Sequence, residues 1–145
     1  MEYLTHSLID ESEALQIVNK LKAEKSSWQD GKKTAGSHAS EIKSNFQLDK
    51  NSKSSIELRD IIGNKIISNP LLKSFTLPSL IHGVMFTQSL AGHRYGSHID
   101  NPYMPSGRSD LSFTLFLNAP EDYEVVNYVF RRSIKLKKLN FLLEK

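Results

Sequence analysis

Gly92–Asn118, GHRYGSHIDNPYMPSGRSDLSFTLFLN, is the stretch that decides how this chain is read. Its second half alternates, with Leu111, Phe113, Leu115 and Leu117 on one side and Ser112, Thr114 and Phe116 on the other. Strand side chains repeat every two residues, so this pattern predicts a strand over Leu111–Leu117. The first half holds His98 and Asp100 two residues apart, just before the turn-forming run Asp100-Asn101-Pro102. On extended backbone that spacing sends an imidazole and a carboxylate to the same face.

Outward from this stretch, the N-terminal part reads as helical. Asp10-Glu-Ser-Glu opens a helix whose apolar stripe is Ala14, Ile17, Val18 and Leu21, ending near Lys25. Trp28–Gly31 predicts a strand entering a turn. Lys32–Ser55, rich in Lys, Ser and Asn, predicts a long loop with one short strand at Phe46 and Leu48. Ser54 or Ser55 would cap a second helix that buries Ile56, Ile61, Ile62, Ile66 and Ile67 and stops at Asn69-Pro70. Leu80–Leu90 predicts one or two strands, and Pro120–Glu124 a turn. Helices followed by strands give an α+β domain with the helices packed on a β-sandwich.

The 145 residues suit one domain, and 39% hydrophobic with 24% charged residues is ordinary for a soluble globular protein. No apolar run approaches membrane-spanning length, and the acidic N-terminus MEYLTHSLIDESEAL is unlike a signal peptide. The expectation is a cytoplasmic protein with no membrane partner. Without cysteine there are no disulfides and no thiolate metal ligands. The net charge of +3 is unevenly placed: Arg131–Lys145 carries +5, which leaves −2 on the other 130 residues. A nucleic-acid reading would rest wholly on that tail, and no nucleic-acid partner is expected.

A neutral imidazole and a carboxylate on one face are two of the three ligands of the facial triad that holds non-haem Fe(II). The remaining positions of such a centre stay open for a bidentate 2-oxo acid and O₂. The pair also admits a plainer reading, a surface His hydrogen-bonded to an Asp in a turn. A triad requires a second His further along. The histidines are His6, His38, His82, His93 and His98, so none follows His98.

The surrounding motifs resemble the PKHD-type hydroxylases, Fe(II)- and 2-oxoglutarate-dependent oxygenases related to prolyl 4-hydroxylases. They are Tyr95-Gly96-Ser97-His98-Ile99-Asp100-Asn101, Arg108-Ser109-Asp110-Leu111-Ser112-Phe113-Thr114-Leu115-Phe116-Leu117 and Pro120-Glu121-Asp122-Tyr123. Trp28-Gln29-Asp30-Gly31-Lys32, Thr34-Ala35-Gly36 and Lys43-Ser44-Asn45 look like the N-terminal region of the same family. The resemblance implies a double-stranded β-helix, or jelly roll, with His98 and Asp100 as Fe(II) ligands. It also implies 2-oxoglutarate and O₂ as co-substrates, ascorbate as reductant, and hydroxylation of an unidentified substrate such as a protein or amino-acid side chain. The family often has an Arg-Tyr pair ahead of the His-x-Asp, where this chain has Met85-Phe86-Thr87-Gln88. Tyr95, three residues before His98, falls on the opposite face by strand geometry, with a rim position and a binding role both open.

The resemblance covers residues 1–124 and stops there. The family continues into Gly-Gly-Glu-Leu and further strands, which carry the distal His and the Arg for the far carboxylate of 2-oxoglutarate. Here Glu124 is followed by Val125-Val126-Asn127-Tyr128 and the basic tail. GTG GTG AAT TAT after a Glu codon ending in G reads, one base earlier, as GGT GGT GAA TTA, which is Gly-Gly-Glu-Leu. Residues 125–145 are accordingly expected to be a divergent, out-of-frame tail on a truncated jelly roll lacking part of its active site. If the tail is instead a true variant end, Val125–Phe130 forms a strand and the rest an amphipathic helix. A different functional class then opens: a non-catalytic protein binding an acidic partner through Arg131, Arg132, Lys135, Lys137 and Lys138.

Overall fold

Asp10 and Glu13 set the first helix by a reciprocal cap. The Glu13 amide donates to Asp10 Oδ1 at 2.8 Å, and the Asp10 amide donates to Glu13 Oε2 at 3.1 Å. Helix α1 then runs Glu11–Ala23, with Ala14, Ile17 and Leu21 buried as the stripe requires. The computed structural model describes residues 3–35, 37–96, 98, 100–119, 122 and 141–144. The chain forms two units, Met1–Asn19 with Asp110–Lys145, and Lys20–Ser109, with α1 running across their boundary.

In the first unit, β1 (Tyr3–His6), β9 (Ser112–Leu115) and β10 (Phe141–Glu144) make one antiparallel sheet in the order β1-β10-β9. The register pairs His6 with Phe141, and Phe141 with Leu115. β9 is shorter than the alternation predicted, and residues 111–117 are half-buried on both faces rather than sorted into inside and outside. The amphipathic helix expected for a variant tail gives way to strand at 141–144. Val125–Phe130 and the basic residues 131–138 lie outside the described residues. Backbone pairing at an open strand edge asks little of sequence, which is how a tail can dock there.

The second unit is built around α3 (Lys53–Ser68), capped by Ser52, whose hydroxyl accepts from the Ser55 amide at 3.2 Å. Ser54 and Ser55, expected as caps, lie inside the helix and are buried. The buried face is Leu58, Ile62 and Ile66, one residue every four, while Ile56, Ile61 and Ile67 are exposed. Asn69 ends α3 and caps α4 (Pro70–Thr76), which buries Leu72 completely. Glu24 ties the end of α1 to this helix by accepting from Ser54, and Lys20 makes an ion pair with Glu57.

The expected loop over 32–55 is instead largely ordered. A 3₁₀ turn (Gly31–Thr34), α2 (Ser37–Ile42), β3 (Lys43–Ser44) and β4 (Phe46–Leu48) occupy it. β2 (Trp28–Asp30), β4 and β5 (Thr87–Gln88) form a second antiparallel sheet in the order β2-β4-β5. Leu80–Leu90 holds only that two-residue strand. β3 pairs with β6 (Arg94–Tyr95), and β7 (Tyr103–Met104) with β8 (Gly107–Arg108). The architecture is α+β with four small antiparallel sheets, and none closes into a barrel among the described residues.

Candidate metal centre

The pairing of β3 with β6 sets Lys43 opposite Tyr95 and Ser44 opposite Arg94. One residue on, the Gly96 amide donates to the Ile42 carbonyl at 2.9 Å. A Cβ at position 96 would lie 3.0 Å from Ile42 Cβ, so the two backbones approach this closely because residue 96 is glycine. The Gly96 carbonyl then accepts a hydrogen bond from His98 Nδ1 at 2.8 Å. A carbonyl can only accept, so Nδ1 carries the proton and the neutral ring has its lone pair on Nε2. Nε2 faces Asp100 Oδ1 at 3.3 Å.

The two side chains converge, but not for the reason that the sequence suggested. Among the described residues of this stretch, 96, 98 and 100–102, none is strand. The Gly96 carbonyl orients the imidazole, and an Asx turn, with the Tyr103 amide donating to Asn101 Oδ1 at 3.0 Å, directs the chain away after Asp100. His98 is 28% and Asp100 63% exposed at the side chain, so solvent reaches both donors.

Tyr95 is also placed differently from its expectation. Its ring stacks on His98 with centroids 3.8 Å apart and planes 19° from parallel. Strand periodicity fails because β6 ends at Tyr95 and the chain turns at Gly96. Lys43, nearly buried, sets its Nζ over the Tyr95 ring at 5.2 Å from the centroid. Burial pushes the Lys43 ammonium below its ordinary value, and the Asp30 charge partly opposes this. Sequence reasoning does not reach Lys43 as a site residue, although it begins the motif Lys43-Ser44-Asn45.

His93 and His82 make their contacts elsewhere. His93 Nδ1 accepts from the Leu90 amide at 3.2 Å, and its ring lies 5.3 Å from that of Phe46. His82 Nε2 donates to the Arg108 carbonyl at 2.8 Å, and its Nδ1 lies 2.7 Å from the Ser106 hydroxyl. It thereby fastens the β7–β8 hairpin that directly follows Asp100. Among the described residues no group of three or more His, Cys, Asp or Glu is arranged to hold a metal ion. The site thus presents one imidazole and one carboxylate, with the imidazole tautomer already fixed.

No family model matches the chain. It is similar to a PKHD-type hydroxylase of Prochlorococcus marinus strain NATL1A, 94% identical over 124 residues that make up 86% of this chain and 56% of the relative. The counterpart in strain NATL2A is 93% identical over the same shares. That of strain MIT 9313 is 57% identical, again over 86% of this chain and 56% of the relative. The chain therefore spans a little over half the length of the curated relatives it matches. No helix among the described residues is long and apolar enough to cross a membrane. Across the stretch that it shares with these relatives, the chain belongs to the PKHD-type hydroxylases.

Proposed function

We propose that His98 and Asp100 are two of the three protein ligands of an Fe(II) centre in a 2-oxoglutarate-dependent hydroxylase. The observation that carries this reading is the His98 Nε2–Asp100 Oδ1 separation of 3.3 Å, with Nδ1 held by the Gly96 carbonyl. Two donors at right angles, each about 2.1 Å from one ion, lie about 3 Å apart, close to what is found. The carbonyl contact is the kind of outer support that fixes a metal-binding imidazole. Iron bound there, with 2-oxoglutarate and O₂ as co-substrates and ascorbate as reductant, supplies the oxidising power to hydroxylate a substrate C–H bond. The chain's part is to turn Nε2 toward the ion, to keep the Asp100 carboxylate beside it, and to brace the imidazole against Tyr95.

The reading brings with it the jelly-roll core of this oxygenase class, with residues 1–124 as its N-terminal part and β9 as one of its strands. It places the third ligand and the 2-oxoglutarate-binding Arg in residues that Val125–Lys145 does not supply. The 145-residue chain accordingly binds metal weakly and turns over no co-substrate. Reading the gene across codon 124 tests the out-of-frame origin of the tail: codons that do not give Gly-Gly-Glu-Leu in the neighbouring frame exclude it.

Titration with Co(II), a spectroscopic substitute for Fe(II), tests the site itself. The chain is expected to develop a visible absorption that His98→Ala and Asp100→Asn both lose. An absorption unchanged in both variants overturns the assignment.

A further inference from the structure

One imidazole meets the β7–β8 hairpin through both of its nitrogens, and the two contacts fix where its proton sits. His82 Nε2 lies 2.8 Å from the Arg108 carbonyl, which can only accept, so Nε2 carries the proton of the neutral ring. Nδ1 is then the basic nitrogen, and the Ser106 hydroxyl donates to it at 2.7 Å. We propose that Ser106 is a nucleophile activated by His82, and that it takes the acyl group of a small carboxylic ester. Neither residue belongs to the His98–Asp100 pair, so this chemistry does not rest on the metal reading.

A serine hydroxyl is a weak nucleophile until a base within hydrogen-bond reach takes its proton, and a third group must orient that base. Ser106, His82 and the Arg108 carbonyl fill these three roles in order. The backbone of the hairpin is shaped to the ring. Gly107 separates the two contacting residues with a φ of 136°, in the region that favours glycine, and a Cβ there would lie 3.7 Å from His82 Cε1. Ser106, Gly107 and Arg108 thus follow the ring edge Nδ1, Cε1 and Nε2 in turn. Ser106 is exposed in the hairpin turn, so a reagent reaches its oxygen from solvent. His82 also lines a concavity of about 530 Å³, within the range of small-molecule sites. Arg59 and Asn64 bring N–H donors to its wall, and Ile67, Ile81 and Val84 bring apolar surface, which suits an ester with a small apolar group. The step balances without a redox partner. Ser106 Oγ bonds to the ester carbonyl carbon as its proton passes to His82 Nδ1, and the bond to the alkoxy oxygen breaks as that proton leaves with the alcohol. Water, deprotonated by Nδ1 in its turn, then releases the acid and restores the hydroxyl.

The test treats the 145-residue chain, kept free of metal by a chelator, with a fluorophosphonate and with p-nitrophenyl acetate. Mass spectrometry is expected to find the phosphonyl group on Ser106 and not on Ser74, an exposed serine whose hydroxyl donates only to the Leu71 carbonyl. p-Nitrophenyl acetate should release p-nitrophenolate and leave acetyl on Ser106. Ser106→Ala should lose both reactions. His82→Gln should slow them about 100-fold or more, since a positioned base contributes about 10²–10⁴-fold. A His82 that only fastens the hairpin leaves Ser106 no more reactive than Ser74, and its loss then only opens access to Ser106. Equal labelling of Ser106 and Ser74, or a His82→Gln variant that reacts as fast as the parent, overturns the proposal.

Discussion

Gly31 shows how much of the site depends on single positions. A Cβ there would come within 1.9 Å of Asn45 Oδ1, while the Gly31 amide donates to the Asn45 carbonyl at 2.9 Å. Gly31→Ala must displace the Asn45 side-chain amide and crowd the Asn45 carbonyl oxygen, which a Cβ would meet at 3.1 Å, and urea denaturation should show a loss of about 1–3 kcal/mol. His82→Ala removes both contacts that fasten the β7–β8 hairpin. Each is worth about 0.5–1.5 kcal/mol, so the Ser109 amide, bonded to the Pro102 carbonyl at 2.8 Å, should exchange about tenfold faster or more. At this scale His98 and Asp100 were legible because their residue types limit the chemistry. Tyr95 and Lys43 were not, because their contacts arise where β6 ends and where β3 pairs with it. No local periodicity encodes either event.

α1 and α3 were legible in existence and extent but only partly in orientation, whereas α2 and α4 were not read from the sequence. The rows of isoleucines in α3 suggested a wide apolar face, yet burial follows Leu58, Ile62 and Ile66. Leu58→Ala should therefore cost about 2–5 kcal/mol by denaturation, and Ile61→Ala less than about 1 kcal/mol. The order between Lys32 and Ser55 was not legible, because two- and three-residue strands pair with distant partners rather than showing an alternation of their own. Glu24 gives the α1–α3 junction a pH dependence. Hydrogen bonds from Ser54 and Ser27 hold its carboxyl below the ordinary value of 4.5. A carboxyl lowered in the folded state adds stability above its unfolded value and loses it as pH falls through the folded one. Glu24→Gln should thus lower the urea midpoint at pH 7, and the gap to the parent should close as the pH drops below about 4.5.

For the whole molecule, the shared stretch and the rest obey different rules. The α+β class and the family were legible because the motifs around His98, Arg108 and Pro120 are dense and fixed in spacing. The strand at Phe141–Glu144 was not, since the tail gives no alternating signal and its pairing with β1 and β9 is a property of their open edges. As proposed, His98 and Asp100 serve an Fe(II) centre that these 145 residues leave short of its third ligand. Succinate release from 2-oxoglutarate under Fe(II) and ascorbate tests it most directly. Three proteins are compared: this chain, a form continued after Glu124 with the remaining residues of a full-length relative, and the His98→Ala variant of that longer form. Succinate is expected from the continued form alone, with the His98→Ala variant reduced at least 100-fold, beyond the 10–100-fold typical of losing only a supporting contact. Succinate from the 145-residue chain, or from the continued form without His98, would contradict it.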